Sequence, residues 1–311
     1  MSAYPFISQR PEYSLMDSNH DATTESPLHA EVHQVLNGEN VLRRAAERIV
    51  ALAEPYVDEA CLNVEIPPGF NVDVACRAIV RRVHDALSAT TMTANTPSRA
   101  SARVHLRTLC EDLIFVKWIL GLNEDVATEY LQRSARVDVL RTIEAQLEFL
   151  PDAYRSLDTE VPELGFHDPK AALEQAREEY AEFCKAQGWG KRGPSVRDMA
   201  EASEILSEYR FFYFLSSKAV HSNLHEIGRM AWSNRHTISI SSRPFAGVHA
   251  DLAVVYGTWL FGEVIEAVAS RFPPIGQLAA SEAYAVWLAI VLVGPARNGR
   301  LPLLIHPEEL K

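Results

Sequence analysis

Residues 208–223 most constrain the fold, because they are apolar on nearly every side when arranged as a helix. A helix that is apolar all round is buried inside a protein. We therefore expect this segment to be the central helix. One narrow stripe on it is polar and holds Arg210, Ser217 and His221, which successive helical turns bring into line.

This polar stripe has two interpretations. In the first, its guanidinium, hydroxyl and imidazole satisfy one another, or a neighbouring helix end, inside the core. In the second, they form a site for an anion or a phosphate group. The guanidinium of Arg210 would hold the oxygen atoms, and the imidazole of His221 would transfer a proton near neutral pH.

Apolar residues recur at helical spacing over most of the chain, and only residues 236–242 alternate as a strand does. The pattern predicts an all-α helical bundle with at most one short strand or hairpin. We expect a single domain over residues 28–299. A flexible N-terminal arm over residues 1–27 and a C-terminal tail over residues 300–311 would flank it. The predicted helices cover about residues 28–57, 72–89, 102–121, 126–150 and 168–187, then a short helix that begins at residue 195 and leads into 208–223, and finally 249–271 and 275–293.

The composition is that of an ordinary soluble globular protein, with 47% apolar and 23% charged residues among 311. Its net charge of −11 gives no general affinity for nucleic acid or for an anionic membrane. The charge is uneven, however. Residues 185–243 hold nine basic and five acidic side chains, a net charge of +4, so RNA or another polyanion would bind there.

Four cysteines lie far apart and form no CxxC pair, which indicates reduced thiols and argues against a zinc ribbon or a disulfide framework. The N-terminus lacks the features of a signal peptide. The most apolar run, residues 283–293, is much shorter than the roughly 20 residues that span a bilayer. We therefore expect a cytoplasmic protein without a membrane partner.

A second polar pair, Arg107 and Glu111, lies on the helix predicted over residues 102–121. Because the two residues are four apart, their side chains fall together at the margin of the apolar face. They would form an ion pair worth roughly 0.2–0.5 kcal/mol if exposed. If buried, they would belong to a structural network or to a ligand site.

Known sequence motifs for nucleotide hydrolysis and common hydrolases are absent, and we expect no cofactor. His221 and His225 have the spacing of metal ligands on one helix face, and Glu226 or Glu111 could serve as a third ligand. Two histidines alone are a weak metal signal. Metal binding is therefore the lesser alternative for this segment.

Three short segments carry a resemblance to a known family. They are residues 107–111 (RTLCE), residues 188–201 (GWGKRGPSVRDMAE), and the set Tyr209 or Tyr213, Ser217, Val220 and His221. Over roughly residues 100–270, the chain resembles the uncharacterised bacterial domain-of-unknown-function family 5677. That family is similar to the HEPN-type helical bundles, many of which are metal-independent ribonucleases in toxin and antiphage systems.

The resemblance implies a HEPN-like RNA-directed effector, with a homodimer or another protein as a compatible partner. In HEPN nucleases, an arginine and a histidine four to six residues apart on one helix meet at a dimer interface. This chain departs from that pattern, because Arg210 and His221 are eleven residues apart. A modified site would use Arg107 from a neighbouring helix.

Our leading hypothesis is therefore a metal-independent ribonuclease, acting as a toxin or in antiviral defence. His221 would be its general acid or base, Arg107 or Arg210 would hold the scissile phosphate, and Glu111 would orient one arginine. The alternative is a non-catalytic interaction or scaffold protein whose polar stripe only fixes helix packing. The first hypothesis requires a stripe open to solvent, and the second requires one that is closed and fully hydrogen-bonded.

Overall fold

A computed structural model of the chain describes residues 26–65, 69–149, 169–220, 231–233, 238–240 and 243–297. These residues fall into two compact units, divided between Glu39 and Asn40. The described part consists of eleven α-helices, one 3-10 helix and one hairpin of two short strands. The prediction of an all-α protein with at most one hairpin is confirmed.

The first unit contributes helix α1, Pro27–Leu36, which begins with Ser26 accepting a hydrogen bond from the backbone of His29 at 3.3 Å. The second unit contains the remaining elements, which in chain order are α2 (Val41–Cys61), α3 (Val72–Ala94), the 3-10 helix (Arg99–Val104), α4 (His105–Leu120), α5 (Glu124–Phe149), α6 (Pro169–Ala186), α7 (Val196–Ala202), α8 (Leu206–Val220), β1 (Ala231–Ser233), β2 (Ile238–Ile240), α9 (Arg243–Val268), α10 (Pro273–Ala280) and α11 (Glu282–Arg297).

Helix α9 is the centre of the second unit. It packs against α2, α3, α4, α10, α11 and the 3-10 helix. A β-carbon placed at Gly257 would lie 3.5 Å from the side chains of Leu87 on α3 and Leu109 on α4, so α9 lies directly against both helices. Its fully buried apolar residues include Leu252, Val254, Leu260, Phe261, Val264, Ile265 and Val268.

Helix α8 is therefore not the central helix, and this expectation was wrong. Within its described part, Phe212 and Leu215 are buried, while Phe211 and Tyr213 are 41% and 37% exposed and Arg210 is exposed. Among the described residues its main neighbour is α4, with further contacts to the 3-10 helix, α7 and Trp259 of α9. Because several of its aromatic residues are partly exposed, the helix is apolar on nearly every side without being buried on every side.

Several predicted boundaries also moved. The first predicted helix is two helices, α1 and α2, separated by a left-handed residue at Asn40. The last one is divided at Ser281, whose extended backbone separates α10 from α11. The residues predicted as a strand contain β2, which pairs antiparallel with β1 in the register Ala231 to Ile240.

None of the helices in the described ranges is by itself long and apolar enough to cross a membrane. Helices α10 and α11 together have the length and composition, but they are bent by 61° at their break. Buried residues of both helices, including Ile275, Leu278 and Val291, belong to the hydrophobic core.

The structure does not describe residues 1–25 and 298–311, which include nearly all of the predicted arm and all of the predicted tail. The proposed division of the chain at residues 27 and 300 stays a prediction.

Candidate functional site

Arg107 and Glu111 lie one turn apart on α4 and form an ion pair, with 2.9 Å between Nε and Oε1. The helix buries Leu106, Leu109 and Cys110 on its core side. The two charged side chains are about one-third exposed, at 31% and 34%. Their predicted position at the margin of the buried face is therefore confirmed, and the pair is open to solvent.

Helix α8 places two tyrosines beside this pair. The guanidinium carbon of Arg107 lies 5.0 Å from the ring centre of Tyr213, within the range of a cation–π contact. The ring of Tyr209 lies 5.1 Å from that of Tyr213. Glu111, and to a lesser extent the Tyr213 phenol, raise the pKa of Arg107, so this guanidinium stays cationic. The pair thus continues into a short aromatic surface.

Arg197 adds a further positive charge to this surface. It belongs to α7, which begins with a capping box in which the Ser195 backbone donates to Asp198 at 2.8 Å and the Asp198 backbone donates to Ser195 at 3.2 Å. Burial raises the pKa of the Tyr209 phenol, and the nearby charge of Arg197 partly opposes this effect. Arg197 itself is exposed.

A second arginine–carboxylate pair, which sequence reasoning missed, joins α3 to α4 next to Glu111. Arg82 donates from Nε to Oδ2 of Asp112 at 2.7 Å and from Nη2 to Oδ1. The side chain of Asp112 is only 2% exposed, whereas that of Arg82 is 61% exposed. Burial raises the pKa of Asp112, and Arg82 partly offsets this effect. A buried carboxylate thus holds an arginine that projects into solvent.

Electrostatic contact links the two pairs. The charge of Glu111 raises the pKa of Arg82 as well as that of its hydrogen-bond partner Arg107. Two consecutive acids of α4 therefore hold two arginines, one from α3 and one from α4. Such fixed guanidinium groups bind phosphate or carboxylate oxygens with little reorganisation. This cluster of Arg82, Arg107, Glu111 and Asp112, with Tyr209 and Tyr213 beside it, is named here the arginine face.

Helix α4 also carries a buried ion pair further along, where Lys117 donates to Glu263 of α9 at 2.7 Å. Burial raises the pKa of Glu263, and Lys117 partly offsets this effect. The second carboxylate oxygen of Glu263 has no hydrogen-bond partner in the described part of the chain. This pair connects two core helices, and its burial favours a structural role.

The thiol of Cys110 does not supply a nucleophile to the arginine face. It is buried, and burial raises its pKa to about 12, so the thiolate form is scarce at neutral pH. All four cysteines are unpaired, and the prediction of free thiols is confirmed.

The loop that leads into α7 is held by an aromatic cluster. The ring of Trp189 lies 5.3 Å from Trp118 of α4 and 5.7 Å from Tyr130 of α5. Gly193 has a left-handed backbone with φ of 72°, and a β-carbon there would clash with the Tyr180 hydroxyl. The loop therefore fixes where α7 begins and, with it, the position of Arg197.

The structure brings together only part of the predicted site. Arg107 and Glu111 meet, whereas no hydrogen bond or ion pair within the described residues joins Arg210 to either of them. Ser217 belongs to α8, but its side chain is outside the description, as are His221 and His225. Among the residues that were searched, no group of three histidine, cysteine or acidic side chains could hold a metal ion.

Comparison with known families gives one match. The model of a family of unknown function (DUF5677) matches residues 73–237, which is more than half of the chain and includes every residue of the arginine face. No curated protein and no solved structure matches.

Proposed function

This chain belongs to the family of unknown function DUF5677, and we propose that it is an RNA-directed effector that cleaves RNA without a metal ion. One observation supports this proposal above all: Arg107 and Glu111 form a pair that is one-third exposed and lies beside the Tyr213 ring. A cation next to aromatic rings suits a nucleic-acid strand, because phosphates pair with arginine and bases stack on tyrosine.

RNA carries its own nucleophile, so the proposed reaction requires no metal. His221, which follows α8 directly in the chain, would remove the proton from a 2′-hydroxyl. The 2′-oxygen would attack the adjacent phosphorus, and the bond to the 5′-oxygen would break, leaving a cyclic phosphate. The departing 5′-oxygen would take its proton from a water molecule.

The guanidinium groups would act on the phosphate in this reaction. Arg107 would bind its non-bridging oxygens, where negative charge increases in the transition state. Glu111 would keep that guanidinium oriented through the 2.9 Å hydrogen bond. Arg210, which is exposed on α8, would contact a neighbouring phosphate of the strand.

The rival proposal, a non-catalytic scaffold, receives support from different residues. Lys117 with Glu263 and Arg43 with Asp251 each join helices through a pair with one deeply buried member. Such pairs fix helix packing, as a scaffold would require. Arg210, the member of the polar stripe whose side chain is described, is nevertheless exposed, and the neighbouring pair of Arg107 and Glu111 is one-third exposed. This openness favours the RNA-directed function.

The test compares wild-type protein with His221→Gln on single-stranded RNA in the presence of EDTA. Glutamine retains hydrogen-bonding capacity, so we expect cleavage to fall by about 10²–10⁴ while the melting temperature stays nearly unchanged. Cellular toxicity should be lost with cleavage. Arg136→Gln is the matched control, since Arg136 is a half-exposed, ion-paired arginine on α5.

The scaffold proposal makes the opposite prediction for the same variant. A structural histidine in a closed network would leave a buried partner unpaired, at a cost of about 1–3 kcal/mol in unfolding free energy. Absence of RNA cleavage by the wild type, together with an unstable variant, would exclude the ribonuclease proposal.

A further inference from the structure

The ion pair between Arg82 and Asp112 is unbalanced in its exposure. Its carboxylate is 2% exposed, whereas its guanidinium-bearing side chain is 61% exposed. Burying a charged carboxylate is costly, and the guanidinium of Arg82 offsets this cost for Asp112. The pair between Arg43 and Asp251 has the reverse arrangement, with the arginine buried and the acid open to solvent. Only in the first arrangement is an arginine held in place and presented outward.

Hydrogen bonding leaves part of the Arg82 guanidinium available. Its Nε and Nη2 both donate to Asp112, which fixes the plane of the group. Its Nη1 group donates to no residue within the described part of the chain. An arginine fixed in this way binds a phosphate oxygen without first losing side-chain freedom.

Arg82 and Arg107 lie around the same stretch of α4. Arg107 pairs with Glu111 at 2.9 Å, and Arg82 pairs with the next residue, Asp112. Glu111 acts electrostatically on both arginines. Consecutive helical residues point about 100° apart, so Glu111 and Asp112 leave α4 in different directions, and each holds one arginine.

We propose that Arg82 and Arg107 form a two-arginine binding site for consecutive phosphates of a single RNA strand, with Asp112 as the positioning residue for Arg82. The inference rests on the proposed function in taking an RNA phosphodiester as the ligand. It adds a residue from α3 to the site and predicts that the strand extends from α8 across α4 to α3.

Binding of a fluorescein-labelled 2′-O-methyl oligonucleotide tests the site separately from cleavage, because this probe lacks the nucleophile. Fluorescence anisotropy would be measured for wild type, Arg82→Gln and the control Arg136→Gln over a range of salt concentrations. We expect Arg82→Gln to weaken binding about tenfold or more. Loss of one phosphate contact should also reduce the slope of affinity against salt by about one. The control should stay within about twofold of wild type.

Arg82→Gln leaves the buried carboxylate of Asp112 without its cation, so this variant could lose stability. The double variant Arg82→Gln with Asp112→Asn removes the buried charge at nearly constant shape. The same loss of affinity is expected in the folded double variant. Binding within twofold of wild type in that variant would overturn the proposal.

Two further readouts separate the possible failures. If wild type cleaves no RNA but its binding depends on Arg82, the site stands and the proposed ribonuclease activity fails. If the double variant binds and cleaves as wild type does, the ribonuclease proposal stands and the two-arginine site is overturned.

Inorganic pyrophosphate is expected to compete only weakly. Competition at a lower concentration than unlabelled oligonucleotide would assign the site to a small phosphate and overturn the strand-binding claim.

Discussion

Phe211 and Phe212 are neighbours on α8 but lie in opposite environments. Phe212 is 2% exposed and stacks on Trp259 of α9 with 5.5 Å between ring centres, whereas Phe211 is 41% exposed. We expect Phe212→Ala to lower the free energy of unfolding by about 3–5 kcal/mol, the usual cost of truncating a core aromatic residue.

Urea denaturation of the two alanine variants checks this prediction. Phe211→Ala serves as the control and should cost much less, because an exposed ring loses less apolar burial. Equal losses in the two variants would show that α8 is not packed through Phe212.

Glu263 is expected to make stability depend on pH. Burial raises its pKa above the ordinary value, so between the two values the folded state binds more protons than the unfolded state. The contribution of Glu263 to stability therefore falls as pH rises through this window. Lys117, Glu208 and Glu266 are the charged groups that act on it.

Glu263→Gln should remove this contribution. Relative to wild type, the variant is expected to gain stability as pH rises above the ordinary pKa of glutamate, because glutamine has no carboxylate to ionise in this buried position. Chemical denaturation at several pH values measures the difference. A difference in unfolding free energy that stays constant with pH would contradict the assignment.

Residue pairs within one helix could be predicted from sequence, whereas pairs between helices could not. The ion pair of Arg107 and Glu111 follows from their spacing of four and was predicted. Arg82 and Asp112 are separated by 30 residues, and their contact depends on how α3 packs against α4. A lone aspartate on an apolar helix face was the available signal, because a buried carboxylate needs a cationic partner.

At the scale of elements, the loop before α7 is held by packing as well as by backbone geometry. Gly190 and Gly193 both have left-handed backbones, with φ of 76° and 72°. A β-carbon at Gly190 would meet nothing within 4 Å, but one at Gly193 would clash with the Tyr180 hydroxyl and lie 3.3 Å from Cys184 Sγ. An alanine at Gly190 would therefore cause backbone strain alone, whereas an alanine at Gly193 would add a steric clash.

We expect Gly190→Ala to cost about 1–2 kcal/mol, the usual penalty of a left-handed alanine. Gly193→Ala should cost distinctly more, because Tyr180 packs against Tyr130 and cannot move freely. Thermal melting of the two variants provides the comparison. If Gly193→Ala were no less stable than Gly190→Ala, the loop would not be packed on Tyr180 as described.

Element boundaries were predictable where a local chemical signal marks them. The capping box of Ser195 and Asp198 marks the start of α7, and a helix was predicted from residue 195. The break at Ser281 between α10 and α11 was not, since no proline or glycine stands there and the apolar pattern continues on both sides. Tertiary packing of two short helices, not local propensity, places that break.

For the whole molecule, the apolar pattern identified the helices but did not show which helix is the most deeply buried. Residues 208–223 and α9 are both rich in apolar side chains, yet α9 packs against α2, α3, α4 and α11, whereas Phe211 and Tyr213 of α8 are partly exposed. The ring of Tyr213 is 37% exposed and lies beside Arg107, so it forms part of the arginine face. Sequence reasoning took residues 208–223 for the central helix, and for this reason it did not predict that Tyr213 lies exposed beside Arg107.

The central claim is that RNA binds across the arginine face, and photocrosslinking tests it most directly. A single-stranded RNA that contains 4-thiouridine would be irradiated with the full-length protein, and the crosslinked peptides would be identified by mass spectrometry. We predict crosslinks at Tyr209 or Tyr213, because their rings lie beside Arg107. Crosslinks confined to the α5 and α6 helices, or folded protein that forms none, would contradict the claim.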